Sequence, residues 1–267
     1  MFFDMYTFFQ PIWQKGRLIL LMSRREIVSQ YVGSGLGSLW MIIQPVVMIA
    51  VFWFVFSMGF KVKPTNDVPF VVWLTAGLAP WFLFSNIVSG SVSVVVSHSH
   101  LIKKTIFSSQ ILPVIKIFSN LISHLVFLII LLGLIYFQKV SITFWFMQAL
   151  YYLFCLLILS LGIAWFLSAV FVFLRDVGQM VSVVLQVGFW LTPIFWDIDM
   201  MPEKVKWILK LNPVYYIIQG YRDSFINGIA FWQRPFYSLY FWCCAAGLFF
   251  LGALVFKKLK PQFSDVL

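Results

Sequence analysis

Six apolar runs, each close to the length of a bilayer, constrain the fold of this chain more than any other feature. They cover residues of about 39–60, 70–96, 113–137, 144–173, 179–196 and 237–256. A helix needs roughly 20 apolar residues to cross the hydrocarbon core. Hydrophobic residues make up 62% of the chain and charged residues only 10%, whereas about a quarter of residues are charged in soluble domains. We therefore predict an all-α integral membrane protein with six transmembrane helices, folded as a single domain over residues 1–267.

A segment of mixed character precedes the first run. Residues 8–31 carry apolar side chains mostly on one helical face, together with Lys15, Arg17, Arg24 and Arg25. This pattern predicts an N-terminal amphipathic helix that lies in the membrane interface. A positively charged anchor that only sets orientation explains the same pattern equally well. The glycine-rich stretch 32–38 lacks the Lys-Ser/Thr end of a nucleotide-binding loop, so we interpret it as a bend into the first span.

The segment after the fifth run has a different composition from the spans. Pro193 is expected to break the helix, because proline removes a backbone donor and clashes with the preceding turn. Acids and lysines follow, and Asn212-Pro213 then begins another aromatic stretch that is not clearly long enough to span. We predict re-entrant or half-buried helices in this gate segment, residues 197–236, between spans five and six. Irregular backbone at membrane depth is tolerated where it is buried in protein or lines a cavity.

The basic residues indicate the orientation of the chain. The formal net charge is +10, and most of the cations flank the termini and the loops on the same side as the termini. Such an excess is typical of cytoplasmic loops. We predict a multi-pass protein of the cytoplasmic membrane with both termini cytoplasmic and residues 197–236 extracytoplasmic. The charge does not form a basic face for a phosphate backbone, so a nucleic-acid partner is not expected.

Several kinds of chemistry have no candidate residues in this sequence. His124 is the one ionisable residue deep within a predicted span, and ion-coupled transporters need more than this. A Walker A loop, a nucleophile–base pair and a metal-ligand cluster are all missing. Asp197, Asp199 and Glu203 could bind a divalent ion outside the membrane, but a solvated acidic loop is favoured. We therefore predict no catalytic residue, no metal site and no cofactor in this chain, and favour a passive pathway driven by a partner.

Seven short motifs, in order along the chain, carry a resemblance to a known family. They are Arg24-Arg25-Glu26 through Tyr31, Gly37-Ser-Leu-Trp40 with Gln44-Pro45, Ala76-Gly-Leu-Ala-Pro-Trp-Phe82, Leu101-Ile-Lys-Lys104 with Ile111-Leu-Pro113, Leu174-Arg-Asp-Val177, Leu191-Thr-Pro-Ile194, and Leu211-Asn-Pro-Val-Tyr-Tyr216 with Gly220-Tyr-Arg222. Each motif is weak alone. Together they make the chain resemble the integral-membrane subunit of type-2 ABC exporters for polysaccharides and teichoic acids.

A narrower resemblance rests on three further stretches. Asp67-Val-Pro-Phe-Val-Val-Trp73, Leu209-Lys-Leu-Asn-Pro213 with Gly220-Tyr-Arg-Asp-Ser-Phe225, and the tail Pro261–Leu267 are similar to the teichoic acid translocation permeases of Gram-positive bacteria. O-antigen and capsule permeases share the main motifs. The resemblance thus implies export of a lipid-linked cell-surface polymer, with wall teichoic acid as the first expectation and O-antigen or capsular polysaccharide as the alternative.

The resemblance also implies partners and a coupling surface. We expect two copies of this chain to join two copies of a cytoplasmic ABC ATPase, which would hold the ATP and Mg²⁺. The interface helix and the loop 97–112 would contact the ATPase through Arg24, Arg25, Glu26, Lys103 and Lys104. The alternative is that these cations bind only anionic membrane lipids, at about 1 kcal/mol each.

Aromatic residues, which form 20% of the chain, supply candidates for the substrate pathway. Belts of Trp and Tyr at the membrane interfaces account for many of them. The remainder can stack on sugar rings, and a cation near the exit would suit a phosphate-containing polymer. Our candidates are Trp40, Trp53, Phe56, Trp81, Trp190, Phe195, Trp196, Tyr215, Tyr216 and Arg222. For Arg222, a structural contact with Asp223 or with a neighbouring helix is the equal alternative.

The expected mechanism is that ATP binding closes the ATPases, the interface helix and loop transmit the motion, and a channel opens between the first and fifth spans of the dimer. Two other functions remain open from the sequence. One is an ABC-2 permease for small molecules. The other is a membrane-bound lipid-carrier transferase, an enzyme for which only Asp197, Asp199 and Glu203 offer catalytic acids.

Overall fold

The computed structural model describes residues 2–62, 68–104, 107–141 and 143–267, apart from the side chains of residues 2–5 and 104. All regular structure in this part of the chain is helical. The α-helices are α1 (Phe2–Gln14), α2 (Gly16–Tyr31), α3 (Trp40–Trp53), α4 (Phe70–Val92), α5 (Val94–Ser97), α6 (Ser99–Lys104), α7 (Ile111–Phe137), α8 (Ala149–Phe173), α9 (Val177–Leu191), α10 (Glu203–Lys210), α11 (Pro213–Arg222), α12 (Pro235–Leu259) and α13 (Phe263–Val266). Turns of π-helix extend α3 over Phe54–Gly59 and α11 over Asp223–Asn227.

Five helical segments are long and apolar enough to cross a membrane. They are Gly37–Gly59, Phe70–Val92, Ile111–Phe137, Phe144–Phe173 and Pro235–Val266, of 23, 23, 27, 30 and 32 residues. Their positions agree with the first, second, third, fourth and sixth predicted spans to within a few residues, except that the last extends beyond its predicted end. The chain is therefore a multi-pass helical membrane protein.

The predicted fifth span is shorter than expected. Its helix α9 has 15 residues and ends at Leu191, not at Trp196. A helix of this length extends about 22 Å, less than the roughly 30 Å of a hydrocarbon core. The reason is Pro193, which disfavours helical backbone at the residue before it. Thr192 accordingly adopts φ −78° and ψ 133°. That residues 179–196 cross the membrane as a fifth span, which would bring the number of crossings to six, stays a prediction.

The predicted interface helix, residues 8–31, consists of two helices. α1 begins earlier, at Phe2, and the helix is interrupted at Lys15, where φ is −102° and ψ is 24°. Gly16 follows the break, and glycine favours helix less than other residues except proline. Phe8 and Ile19 turn inward and are buried, whereas Leu20 and Leu21 remain exposed. An apolar exposed face beside basic residues is compatible with a position in the membrane interface.

Two hydrophobic clusters stabilise the fold, one at each end. We call the end with α1, α2, α6 and α13 the basal end, and the end with α10 and α11 the distal end. The basal cluster joins α1, α2, α5, the start of α7 and the ends of α8 and α12 around Trp165 and Phe256. The distal cluster surrounds α4 and includes α8, α11 and the turn at Phe195. The predicted gate segment lies at the distal end, where α11 packs into the core against α4 and α8.

Helices α8 and α12 form the closest helix pair. Gly162 and Gly252 face each other, and a Cβ atom on Gly252 would overlap the carbonyl oxygen of Gly162. A Cβ on Gly162 would lie 2.6 Å from the Cα of Phe249. Small residues at such contacts let helix backbones approach in membranes, where packing rather than the hydrophobic effect drives association.

Candidate functional site

The predicted coupling residues lie at the basal end. Arg24 and Arg25 are exposed on α2, and Lys103 is exposed near the end of α6. Lys104 ends α6, but its side chain lies outside the described residues. The exposed cations are available for a partner or for anionic lipid headgroups. A role in contacting an ATPase stays a prediction.

Glu26 differs from its basic neighbours because it faces the protein. Its carboxylate forms an ion pair with Lys116 of α7, and both side chains are largely buried. Nearby, the Ser23 hydroxyl donates to the Ile115 carbonyl oxygen at 3.2 Å. Helix α2 is thus fixed to α7 by polar contacts. This geometry makes Glu26 part of the contact between α2 and α7, and its predicted role in coupling to an ATPase stays a prediction.

The Glu26–Lys116 pair leads to a testable prediction. Glu26→Lys places two cations together at a half-buried site and is expected to destabilise the α2–α7 contact, because like charges disfavour each other there. The double variant Glu26→Lys with Lys116→Glu should recover most of the loss, with a coupling energy of roughly 1–2 kcal/mol. Thermal unfolding of the four proteins in nanodiscs measures this coupling. Additive effects of the two reversals would show that the pair does not fix α2.

Four of the predicted pathway aromatics come together in one cluster. Phe56, Trp81, Trp190 and Phe195 meet with Phe52 and Phe189, which the sequence analysis missed. Phe195 is central: its ring lies 4.9 Å from Phe56, 5.0 Å from Phe52 and 4.8 Å from Phe189. Trp81 and Trp190 lie on its edges, at 5.8 Å from Phe189 and 5.4 Å from Phe195. Phe52 lies one helical turn before Phe56, and that spacing was the available signal.

This aromatic cluster is closed in the structure. Phe195 has no exposed surface, so its ring is fully enclosed by its neighbours, whereas Trp190 at the edge is 54% exposed. The cluster joins α3, α4 and α9, and two of these, α3 and α9, correspond to the first and fifth spans between which the channel was predicted. Trp196 lies beside it, with its indole N–H donating to the Trp190 carbonyl oxygen at 3.4 Å. Trp53 packs on the same core, whereas Trp40 is exposed at the other end of α3.

A cavity of about 420 Å³ opens at the distal end. We call it the distal cavity. Tyr215, Tyr216 and Arg222, all predicted pathway residues, line it together with Trp73 and Arg234. Its volume falls in the range of ~300–1,000 Å³ that small-molecule sites occupy. Aromatic rings beside charged and hydroxyl groups are suitable for contact with sugars.

Hydroxyl groups connect three helices beside this cavity. The Trp242 indole N–H donates to the Tyr151 hydroxyl at 3.0 Å, and that hydroxyl lies 3.2 Å from the Tyr216 hydroxyl. Tyr216 in turn lies 2.8 Å from the Ser238 hydroxyl. The chain of hydrogen bonds ties α11 to α8 and α12. It leaves the cavity wall rigid, since such networks fix the side chains that form them.

The Arg222 side chain is buried and forms hydrogen bonds within the protein. It is 2% exposed, and its guanidinium donates to the carbonyl oxygens of Pro193 and Ile194 at 2.8 and 2.9 Å. The guanidinium carbon also lies 3.4 Å from the centroid of the Trp73 ring. Arg222 therefore satisfies the backbone where α9 has ended, a structural role with a neighbouring segment. Contact with a phosphate of the polymer stays a prediction.

Asp223, the neighbour of Arg222, has other partners. Its carboxylate accepts from Gln219 at 3.0 Å and from Asn227 at 2.8 Å, and it pairs with Arg234 at 3.3 Å. Burial raises the pKa of the Asp223 carboxyl, although the hydrogen bond from Asn227 and the charge of Arg234 oppose that change. Arg234 thus supplies the cation that a buried carboxylate needs at the edge of the cavity.

The acids considered for an enzyme or for a divalent ion are mostly engaged with a lysine. Lys206 donates to Asp199 at 3.0 Å and to Glu203 at 2.9 Å. These hydrogen bonds raise the pKa of Lys206 and keep it charged. Asp197 accepts from the backbone N–H of Asp199 at 3.0 Å. The arrangement is that of a solvated loop held by ion pairs, and it does not favour an acid–base pair.

Long apolar helices, an aromatic cluster among them and a buried helix after the break at Pro193 define a multi-pass helical membrane protein. The chain belongs to the ABC-2 type transporter family, whose model matches residues 17–226. It is accordingly the membrane permease subunit of an ABC-2 exporter.

Relatives resemble the chain over nearly its full length. The O-antigen export system permease protein RfbA of Klebsiella pneumoniae is 27% identical over 252 residues, covering 94% of this chain and 95% of the relative. A protein of the same name from Myxococcus xanthus is 27% identical over 265 residues, covering 96% and 97%. The polysialic acid transport protein KpsM of Escherichia coli is 23% identical over 215 residues, covering 76% and 79%.

Proposed function

We propose that this chain is the membrane subunit of an ATP-driven exporter that moves a lipid-linked cell-surface polysaccharide of the O-antigen or capsular type across the cytoplasmic membrane. The observation that carries this proposal is the similarity, over nearly the whole chain, to permeases whose names specify O-antigen export. The similarity to a polysialic acid transport protein extends the support to capsule-like polymers.

The preference for wall teichoic acid, drawn from short motifs, gains no support from these relatives. It stays a prediction, and the polysaccharide alternative is favoured over it. The two substrates differ in charge, because teichoic acid carries a phosphate in every repeat. The distal cavity is lined by the cations Lys210, Arg222 and Arg234 and by the acids Asp197, Asp199 and Asp223. Arg234 pairs with Asp223 and Arg222 is engaged with backbone carbonyls, so this charge-balanced lining supports a polymer rich in sugar hydroxyls over a polyanion.

The energy for transport would come from ATP hydrolysis by a partner, because this sequence contains no Walker A loop. We propose two copies of the chain with two cytoplasmic ATPases, bound through the basal end. Closure of the ATPases would move α2, and the Glu26–Lys116 pair would pass this motion to α7. The exposed apolar faces of α3 and α9 would then separate between the two copies. A channel that opened between these faces would separate the rings of the aromatic cluster around Phe195.

The rival functions make different demands on the structure. A lipid-carrier transferase needs free catalytic acids, yet Lys206 binds both Asp199 and Glu203. A small-molecule permease would move a hydrophobic dye when reconstituted, whereas the proposed exporter would not. These differences make the rivals separable by experiment.

The test is to co-express the chain with the ATPase encoded beside it, purify the complex and reconstitute it in vesicles. We expect ATP-dependent transfer of lipid-linked polysaccharide, and at least a fivefold loss of coupled ATP hydrolysis when Arg24, Arg25, Lys103 and Lys104 are replaced by alanine. Lys204→Ala is the matched control, because this exposed cation lies at the distal end. No complex with the ATPase, or a complex that moves the dye but no polymer, would refute the proposal.

A further inference from the structure

A second cavity, of about 340 Å³, lies on the basal half of the helices between α2, α3, α4 and α7. We call it the basal cavity. It is separate from the distal cavity and from every residue predicted from the sequence for the substrate pathway. Gln30 and Gln44 line it from α2 and α3, Asn86 from α4, and Asn120 and Ser123 from α7. Amides and hydroxyls on three apolar helices, facing one another and the amphipathic α2, need a physical explanation.

The depth of these groups shows why they are unusual. Asn120 lies nine residues into the 27-residue helix α7, roughly 13 Å from its first turn. Asn86 lies six residues before the basal end of α4, about 9 Å along the axis. Both amides are therefore within the apolar part of long membrane-length helices. A polar group facing hydrocarbon without a partner costs several kcal/mol.

Most of this hydrogen-bonding capacity is unused within the chain. Gln44 and Asn86 are exposed where they line the cavity, and among the described residues no hydrogen bond involves their side-chain amides. Asn120 uses one donor, to the Lys116 carbonyl oxygen at 2.7 Å, and its own carbonyl oxygen has no partner in the described part of the chain. Polar groups inside membrane helices generally face a water-filled cavity or a substrate path. The basal cavity is such a place.

The charge of the lining indicates what kind of ligand it suits. Lys116 is the cation on its wall, and its ammonium is already paired with Glu26. The pair is neutral overall, so the cavity offers little net attraction to a phosphate. An amide has both donors and an acceptor, as a sugar hydroxyl does. The lining therefore matches a neutral, hydroxyl-rich ligand.

The deeper end of the cavity is apolar and aromatic. Phe82 of α4 and Phe127 of α7 stack with ring centroids 5.4 Å apart and an angle of 28° between the planes, and both line the cavity. Met48 of α3 completes this side. A sugar ring has hydroxyls at its edge and C–H groups on its face, so amides at one end and rings at the other match both of its surfaces.

We propose that the basal cavity is a sugar-binding subsite that receives a hexose unit of the polymer at the basal half of the membrane, before the polymer reaches the aromatic cluster. This inference deepens the proposed function and rests on it. The cavity is large enough for a small ligand by the usual volumes of such sites, ~300–1,000 Å³. The polar end of the cavity lies beside α2, whose residues form part of its wall. A movement of α2 would therefore change the shape of the cavity and with it the binding of the ligand.

The test is site-specific photo-crosslinking in the complex of this chain with its ATPase. A benzophenone amino acid replaces Ser123, which lines the cavity, or Ile122, the residue before it, which is exposed and does not line the cavity. Consecutive residues of a helix point about 100° apart, so the pair is a matched control. The probes are the native lipid-linked polysaccharide extracted from the cells and the same glycan after acid removal of its lipid.

We expect glycan adducts from position 123 with both probes and none from position 122. Asn86→Ala should raise the glycan concentration for half-maximal crosslinking about fivefold, the effect of one lost hydrogen bond. Gln138→Ala, an exposed amide at the distal end of α7, should leave it unchanged. Adducts with phospholipid alone, or only with the lipid-linked probe, would overturn the sugar subsite.

The proposed function is tested separately in the same preparation. Wild-type complex that transports the polysaccharide while position 123 gives no glycan adduct would overturn the subsite and leave the exporter intact. Wild-type complex that transports no polysaccharide would overturn both. Loss of crosslinking by misfolding is excluded by comparing the thermal unfolding of each variant with that of the wild type.

Discussion

Replacing Gly252 with alanine is expected to prevent the folded protein from accumulating in the membrane. The added Cβ would overlap the carbonyl oxygen of Gly162 on α8, and a backbone atom cannot move aside as a side chain can. The two helices must separate, which weakens the packing of the most extensive helix pair in the fold. Overpacking of a tight core costs about 1–3 kcal/mol and occasionally more, and a backbone clash belongs to the upper end.

The same helix provides the control. A Cβ on Gly247 meets no atom within 4 Å, so Gly247→Ala removes a flexible residue from a helix at no steric cost. It should be neutral or stabilising by up to about 1 kcal/mol. Membrane yield and thermal unfolding of both variants in detergent measure the difference. Equal stability of the two proteins would show that α8 and α12 are not packed as described.

Replacement of Arg222 should have the second largest effect. Arg222→Met leaves the carbonyl oxygens of Pro193 and Ile194 without their donors and removes the contact with Trp73. Hydrogen bonds from charged groups contribute about 1.5–3 kcal/mol each, so we expect a loss of roughly 3 kcal/mol or more. Arg222→Lys should recover little, because a compact ammonium does not reproduce the planar fork of a guanidinium.

An exposed cation at the same end of the protein is the control for this position. Lys204 is exposed on α10, so Lys204→Gln should cost less than Arg222→Met by roughly 2 kcal/mol or more, because exposed substitutions usually change stability by no more than about 0.5 kcal/mol. Unfolding midpoints in nanodiscs, with export measured in parallel, check the order. A stable but inactive Arg222→Met protein would instead assign Arg222 to the substrate pathway.

The periodic features of the fold were predictable from the sequence. Apolar runs depend on local composition, and five of the six gave helices of membrane length. The break before Pro193 was also predictable, since the effect of proline on the preceding residue is local. The end of α9 was predicted five residues too late, at Trp196 and not at Leu191, because the apolar run continues through Trp196. Hydropathy does not show where the backbone stops being helical.

The contacts between distant motifs were beyond sequence reasoning. Gly77, Ile194 and Arg222 belong to three separate motifs and meet in space, where a Cβ on Gly77 would lie 2.9 Å from the Arg222 guanidinium. Glu26 and Lys116 likewise meet across the interface helix and α7. A single sequence shows which side chains are costly to bury. It does not show which residue, far away along the chain, each of them contacts in the folded protein. The amides of the basal cavity were missed for the same reason, since single polar residues in long apolar runs resemble tolerated exceptions.

The burial of α11 has a consequence for the order in which the protein is made. This helix packs against α4 and α8, yet it is synthesised after both of them and after α9. Until the ribosome has passed residue 222, the distal part of α4 lacks the partner that covers it, and the carbonyls of residues 193 and 194 lack their donor. Nascent chains that stop short of this point present an unsatisfied surface. The helices that precede α11 are therefore synthesised before the distal core can be completed. During that interval, cellular quality control can act on the incompletely packed chain.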